Sequence, residues 1–265
     1  MRTYPRGHFS LAQLIGAKRG RLISVCIPAR DEQSTLAGVI EAAVLGHLPT
    51  GSGLVDDLVV VDDGSSDSTA AIARSLGARV VGRRPGGDKG GAMAAGLEAC
   101  CGEIVVYLDA DVHNANPGFV ESLVGPLLLE DANLVKGFYE RPIDGLANGG
   151  GRVTELLARP LIDALFKELA SVRQPLAGET AAQRWVLEKV GLAPGYGVEI
   201  ALLIDVARDL GVESIAQVDL GVRIHRNRPL SELRPQANDV LAAALLRAGA
   251  YGDADDQTRP DSVGG

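Results

Sequence analysis

Ile104-Val105-Val106-Tyr107-Leu108 runs straight into Asp109-Ala110-Asp111, and this junction constrains the fold more than any other stretch. A continuous apolar, β-branched run bounded by a turn predicts a strand buried on both faces. In an open α/β sheet such strands end at the edge where ligands bind. Carboxylates sit poorly there unless they are paired or bound to a metal. Hard divalent cations such as Mg²⁺ or Mn²⁺ take oxygen ligands and bridge to phosphates. The same acids, with Asn114 or Asn116 ahead of Pro117, would also serve to cap the next helix.

The pattern recurs along the chain. Leu22 to Pro28 predicts a first strand halted by its proline, then the turn Ala29-Arg30-Asp31-Glu32 and a helix from about Ser34 to Leu45, started by Ser34 or Asp31. Leu54 to Val61 predicts a second strand that ends in Asp62-Asp63-Gly64, ahead of a helix from Thr69 to Leu76 capped by Asp67 or Ser68. Capping does not explain Asp62 and Asp63, one of which suits a ribose or base contact. Ala78 to Val81 predicts a third strand, followed by the Gly-rich Pro85 to Gly91, where Lys89 stands at the head of a small-residue helix and suits an anionic ligand. This is not a Walker A loop, because the order G-x-x-x-x-G-K-[ST] is missing. Strands alternating with helices predict a parallel α/β sheet with right-handed crossovers, its polar turns gathered on one edge.

Composition excludes other classes. A formal net charge of −8 over 265 residues argues against a nucleic-acid surface. The 3 cysteines form neither a disulfide framework nor a C-x-x-C pair and suit a reducing cytosol. No apolar run approaches ~18 residues and residues 1–20 lack a signal-peptide core, so a soluble cytoplasmic protein without a membrane partner is expected. Four segments are expected: a loosely docked arm (1–20) with a short helix through Phe9, Leu11, Leu14 and Ile15, a half whose turns suit a nucleotide (21–116), a second half (117–250) that the resemblance named below makes acceptor-binding, and a disordered tail (251–265).

The second half carries further clusters. Gly149-Gly150-Gly151-Arg152-Val153-Thr154 precedes a helical pattern in Leu156, Leu157, Leu161, Ile162, Leu165 and Phe166, with a kink or break expected at Pro160. Free amides, a hydroxyl and a guanidinium suit a phosphate or carboxylate. Glu199 heads a helix over Ile200 to Leu210, and would either contact a ligand or favour the helix N-terminus. Val218 to Asn227 alternates, which places Arg223 and His225 on one strand face. A final helix is expected over 231–248.

Pro28-Ala29-Arg30-Asp31-Glu32, Val61-Asp62-Asp63-Gly64-Ser65, Asp88-Lys89-Gly90 and Asp109-Ala110-Asp111 resemble, in order and spacing, the donor half of GT-A glycosyltransferases. Gly151 to Pro160, Leu176-Ala177-Gly178-Glu179, Gly195-Tyr196-Gly197-Val198-Glu199 and His225 narrow the resemblance to glucosyl-3-phosphoglycerate synthases, over about residues 20 to 230. It implies a retaining transfer of glucose from UDP-glucose to 3-phosphoglycerate with Mg²⁺ or Mn²⁺, and a homodimer. It implies Asp111 and His225 as metal ligands, and Pro28, Ala29, Arg30, Glu32, Asp63, Lys89, Asp109, Ala110 and Asp111 around the nucleotide sugar. Gly151, Arg152, Thr154, Ala177, Gly178, Glu199 and Asn227 would line the acceptor pocket, with Lys89, Glu199 and Arg223 nearest the chemistry. Another phosphorylated or carboxylated acceptor, a GDP-sugar donor, or a non-catalytic nucleotide-sugar-binding module would use the same motifs. The chemistry expected is donor ionisation stabilised by metal, Lys89 and Arg side chains, with Glu179 and Glu199 as the acids to test as nucleophiles.

Overall fold

A computed structural model describes residues 1–83, 88–140, 151–224 and 230–249, with backbone alone at 230–232. In chain order the elements are β1 (Arg2–Tyr4), α1 (Leu11–Lys18), β2 (Ile23–Ala29), α2 (Leu36–Ala43), β3 (Asp57–Asp62), α3 (Thr69–Ser75), β4 (Arg79–Gly82), α4 (Lys89–Ala99) and β5 (Ile104–Tyr107). There follow α5 (Gly118–Leu129), β6 (Leu134–Glu140), α6 (Arg159–Leu165), β7 (Thr180–Gln183), α7 (Arg184–Val190), α8 (Val198–Leu210), β8 (Ile215–Val222) and α9 (Leu230–Arg247).

One eight-stranded sheet has the order β1-β8-β6-β7-β5-β2-β3-β4. Successive strand residues alternate between its two faces: Val25, Ile27, Val60 and Val106 join Leu14, Leu36, Ile40 and Leu123 on one side. Cys26, Val59, Val61, Val105 and Tyr107 join Met93, Ile162, Leu187 and Leu203 on the other. Helices cover both faces, which is why these strands read as unbroken apolar runs. The expected α/β class holds. Among the described strands only β7 runs antiparallel, between β5 and β6, with Val106 opposite Ala181 and Val135 opposite Ala181 on its other side.

Several local expectations need correction. The arm is not loosely docked: β1 pairs in parallel with β8, from Arg2 against Ala216 to Tyr4 against Val218, and Tyr4, Phe9 and Leu14 are buried. Its helix starts at a capping box, the Ser10 side chain accepting from Gln13 N while the Gln13 side chain accepts from Ser10 N. Pro28 does not halt β2 but lies within it, opposite Val61. Neither Ser34 nor Asp31 caps α2, whose N-cap is Thr35. Asp31 instead accepts from Ser66 N (2.7 Å) across to the next loop. Pro160 does mark a break, since a π-helical turn over Thr154–Ala158 gives way to α6 with the proline in its first turn. Leu156 faces outward at 78% exposure, however, because the π turn moves it off the helical stripe.

Candidate active site

The parallel strands β2, β3 and β5 end side by side, and their loops are stitched together. Asp31 N donates to Ser65 Oγ (3.0 Å), Gln33 N to Asp67 Oδ2 (3.1 Å) and Glu32 N to Thr69 Oγ1 (2.8 Å). Asp67, not Ser68, serves the start of α3, accepting from Thr69 N at 2.9 Å. The paired acids after β3 divide the work. Asp62 accepts from Ser65 N (3.0 Å) and closes its own turn. Asp63 turns inward, 5% exposed, and accepts from Arg83 Nη1 (2.7 Å) and Asp88 N (3.1 Å). Ala29 O accepts from Asp63 N at 2.9 Å, so the end of β2 and the inward acid are fixed to one another. Glu32 accepts from Thr35 Oγ1 (3.0 Å). Arg30 is not drawn in: its side chain is 46% exposed and lies 4.0 Å from Asp31.

Beside this edge lies a buried charge network. Lys89, at the first position of α4, reaches Asp109 Oδ1 (2.9 Å) and Glu199 Oε1 (2.5 Å). Arg223 Nη2 donates to Asp109 Oδ2 (2.9 Å) and Asp111 Oδ1 (2.7 Å), and its Nη1 to Glu179 Oε2 (3.0 Å) and Tyr139 Oη (2.7 Å). Burial by itself would raise the Asp109 carboxyl. The Lys89 and Arg223 cations outweigh it and hold that group far below the usual carboxylate range. Burial likewise opposes the Lys89 charge, and the Asp109 and Glu199 carboxylates overcome it and push Lys89 up. The Asp109 carboxylate and the Lys89 ammonium therefore hold each other charged, and removing either leaves the other uncompensated.

Backbone shape makes the network possible. A Cβ on Gly178 would lie 2.0 Å from Asp109 Oδ1, so only glycine lets the Ala177-Gly178 turn pass over that carboxylate. A Cβ on Gly90 would lie 1.8 Å from Ala193 O, so α4 sits hard against the segment leading to Glu199. Asp88 Oδ1 accepts from Gly195 N (2.6 Å) and Asp239 Oδ2 from Tyr196 N (2.9 Å), which seats the start of α8 between α4 and α9. Glu199 therefore does more than favour a helix N-terminus, because its carboxylate binds Lys89.

The strand alternation expected to carry Arg223 does not reach it. Regular pairing ends at Val222, after Gly221 takes φ +83°, and Arg223 N donates to Glu140 O (2.9 Å). That kink turns Arg223 inward at 3% exposure, between Val222 at 42% and Ile224 at 54%. Ile224 is then tied to the loop of the paired acids, His113 N donating to its carbonyl (2.9 Å) and its N to Asn114 Oδ1 (2.9 Å). Asn114 thus clamps β8 rather than capping a helix, whereas Asn116 Oδ1 accepts from Gly118 N at 3.1 Å. His225 and Asn227 lie outside the described residues, as do Gly149 and Gly150.

On the expected acceptor side, Glu199 belongs to the network, Gly178 packs over its Asp109, and the Ala177 carbonyl is bound by Lys136 Nζ at 2.5 Å. Gly151 and Arg152 are half-buried at the entry to the π turn and Thr154 is buried within it. Among the described contacts none joins Gly151 or Thr154 to the acids. Sequence reasoning missed Tyr139, Arg83 and Lys136. Only the last left a signal, a lysine inside the apolar run of a strand.

Whether a divalent cation fits can be judged from Asp111. One carboxylate oxygen holds Arg223, and the other has no partner among the described residues. A free carboxylate oxygen is a suitable hard ligand. Among the described residues no group of three or more His, Cys, Asp or Glu side chains is placed to hold a metal ion. No helix among the described residues is long and apolar enough to cross a membrane.

Comparison with known proteins accounts for this arrangement. Residues 24–161 match the model of glycosyl transferase family 2. The glucosyl-3-phosphoglycerate synthase of Mycolicibacterium paratuberculosis is 49% identical over 265 residues, covering 94% of this chain and 79% of that protein. The Petrotoga mobilis protein of the same name is 41% identical, over 88% of this chain and 75% of that one. The crystal structure of the Mycobacterium tuberculosis glucosyl-3-phosphoglycerate synthase with Mn²⁺, UDP-glucose and phosphoglyceric acid superposes with a TM-score of 0.86 at 48% identity, covering 94% of this chain and 88% of that one. The open edge with its paired acids is therefore that of a GT-A fold, and the chain belongs to the glucosyl-3-phosphoglycerate synthase family of the family 2 glycosyl transferases.

Proposed function

We propose that this protein is a metal-dependent glucosyltransferase that moves glucose from UDP-glucose to 3-phosphoglycerate, giving glucosyl-3-phosphoglycerate and UDP. The observation that carries the reading is the network joining Lys89, Asp109, Glu199, Arg223 and Asp111 at the sheet edge. It belongs to a fold whose 48% identical relative holds Mn²⁺, UDP-glucose and phosphoglyceric acid.

Pro28, Ala29, Glu32 and Asp63 line the uridine end, where β2 and β3 are stitched together; Arg30 takes part only if it leaves solvent. Asp109 is held between two cations and offers fixed polarity beside Ala110 and the ribose. Lys89 and Arg223 supply positive charge where the diphosphate gathers negative charge as the glycosyl bond breaks, the preorganised stabilisation that lowers such barriers. Glu199, oriented by Lys89, accepts hydrogen bonds from sugar hydroxyls. Glu179 is completely buried under Arg223 and supports that guanidinium instead of attacking the sugar. Gly151, Arg152, Thr154, Ala177, Gly178 and Asn227 are assigned to the acceptor, with the guanidinium on its anionic end.

Asp111 and His225 would hold Mg²⁺ or Mn²⁺. The tie of Ile224 to the Asp111 loop supports that pairing. When bound, the ion acts as a Lewis acid on the departing diphosphate. The 3 free cysteines fit a cytoplasmic protein, and the family resemblance favours a homodimer, which sedimentation would check.

The deciding experiment incubates the protein with UDP-glucose and 3-phosphoglycerate, with and without Mn²⁺ or Mg²⁺, and reads UDP release and product mass. Ion-dependent release with a product of glucosyl-phosphoglycerate mass is expected. Binding of UDP without product, or turnover only with another donor or acceptor, would overturn the assignment.

A further inference from the structure

Lys136 lies in the middle of the sheet, on β6, opposite Thr180 of β7 and Gln217 of β8. It is 1% exposed, yet among the described residues its Nζ hydrogen-bonds only neutral acceptors, Ala177 O at 2.5 Å and Thr180 Oγ1 at 2.9 Å. Thr180 Oγ1 also donates to Ala177 O at 3.2 Å, which makes that carbonyl the focus of both groups. An ammonium buried without an ion pair disfavours folding, and an apolar chain of the same length would pack there at less cost. Its place therefore points to work at the Ala177 carbonyl.

That carbonyl opens the turn that touches the site. One residue on, Gly178 passes over Asp109 with no room for a Cβ. The next, Glu179, has its backbone carbonyl bound by Gly137 N (2.8 Å) and its carboxylate by Arg223. Residues 177–179 are thus held between Lys136-Gly137 beneath and Asp109-Arg223 above. We propose that Lys136 is a positioning residue for glucosyl transfer: by fixing the Ala177 carbonyl it sets the Ala177-Gly178 turn where the acceptor meets the donor sugar, and it places a third cation behind the acids.

This rests on the functional reading above, so wild-type turnover is measured first. Absence of turnover with UDP-glucose and 3-phosphoglycerate overturns both. With turnover established, K136M in the full chain is expected to lower kcat/KM for 3-phosphoglycerate at least tenfold, while Mn²⁺-dependent UDP binding by calorimetry stays within twofold. Its thermal midpoint at pH 7 should equal or exceed that of the wild type. A lysine with only a structural role would instead lower the midpoint and weaken UDP and acceptor together. If K136M does not fold, T180V, which removes one anchor of the ammonium, carries the test with an expected threefold or greater loss for the acceptor at unchanged UDP affinity. Acceptor kinetics within twofold of wild type in K136M, or in T180V where that variant stands in, overturns the positioning role and leaves the transferase assignment intact.

Discussion

The two halves of the ligand edge are held together by different physics. On the β2-β3-β4 side, loops are joined mostly through backbone amides and short side chains, Asp31 to Ser66, Gln33 to Asp67 and Asp63 to Asp88, with the half-buried Arg83 added on Asp63. On the β5-β7-β6-β8 side, long charged side chains from α4, α8 and the end of β8 meet over the turn before β7. Hydrogen bonds between loops are worth about 1 kcal/mol each and fail one at a time. A buried charge network fails as a unit, because each lost member leaves a carboxylate or cation without compensation. The first half suits recognition of a rigid base and ribose, and the second suits a step in which charge moves.

Single substitutions should expose that contrast. Arg223→Met strips Asp109, Asp111 and Glu179 of a shared partner. It should destabilise the fold by about 3–5 kcal/mol and abolish measurable turnover, as urea unfolding and UDP release would reveal. Lys89→Met should lower kcat/KM roughly 10²-fold or more, with the loss concentrated in kcat. Gly178→Ala drives a methyl into Asp109 and should cost about 1–3 kcal/mol, together with at least a tenfold loss of activity.

Lys136 gives a pH test of the same half. Burial pushes its ammonium down to about 8, against the pull of the Glu199 carboxylate. In the unfolded chain it keeps its proton to about 10.4. Between those values the unfolded state binds more protons, so stability climbs with pH. The wild-type thermal midpoint should gain on that of K136M from pH 8 to 10, and a constant gap would refute the buried cation. The smallest effect belongs to the hydrogen-bonded half. Asp31→Ala loses the bonds from Ser66 and puts alanine at φ +53°, costing about 1–2 kcal/mol and changing kcat by less than threefold.

The sequence announces these two halves unequally. Asp63, Asp109 and Asp111 follow apolar strand runs and Lys89 heads a helix after a Gly-rich stretch, and such signals are local. Arg223 was singled out by the alternation that set it on one strand face with His225, but that alternation breaks at Gly221, so periodicity could not aim its side chain. Lys136 and Tyr139 sit in a strand with no flanking turn motif. Nothing local says that β7 will insert antiparallel between β5 and β6 and bring the Ala177 carbonyl to Lys136, or that Tyr139 will meet Arg223. The edge strand β1 was equally silent, since three residues carry no periodic signal and their pairing with β8 spans nearly the whole chain.

Local order was therefore written in the chain for β2 to β5: which runs become strands and which acids and glycines their turns display, because these follow from side-chain shape and polarity over a few residues. Partnership was settled only by folding. Lys89 finds Glu199, and Arg223 finds Asp109, Asp111 and Glu179, across more than 40 residues in every case. Burial made those encounters binding, since a charge removed from water must meet its counterpart wherever the sheet places it.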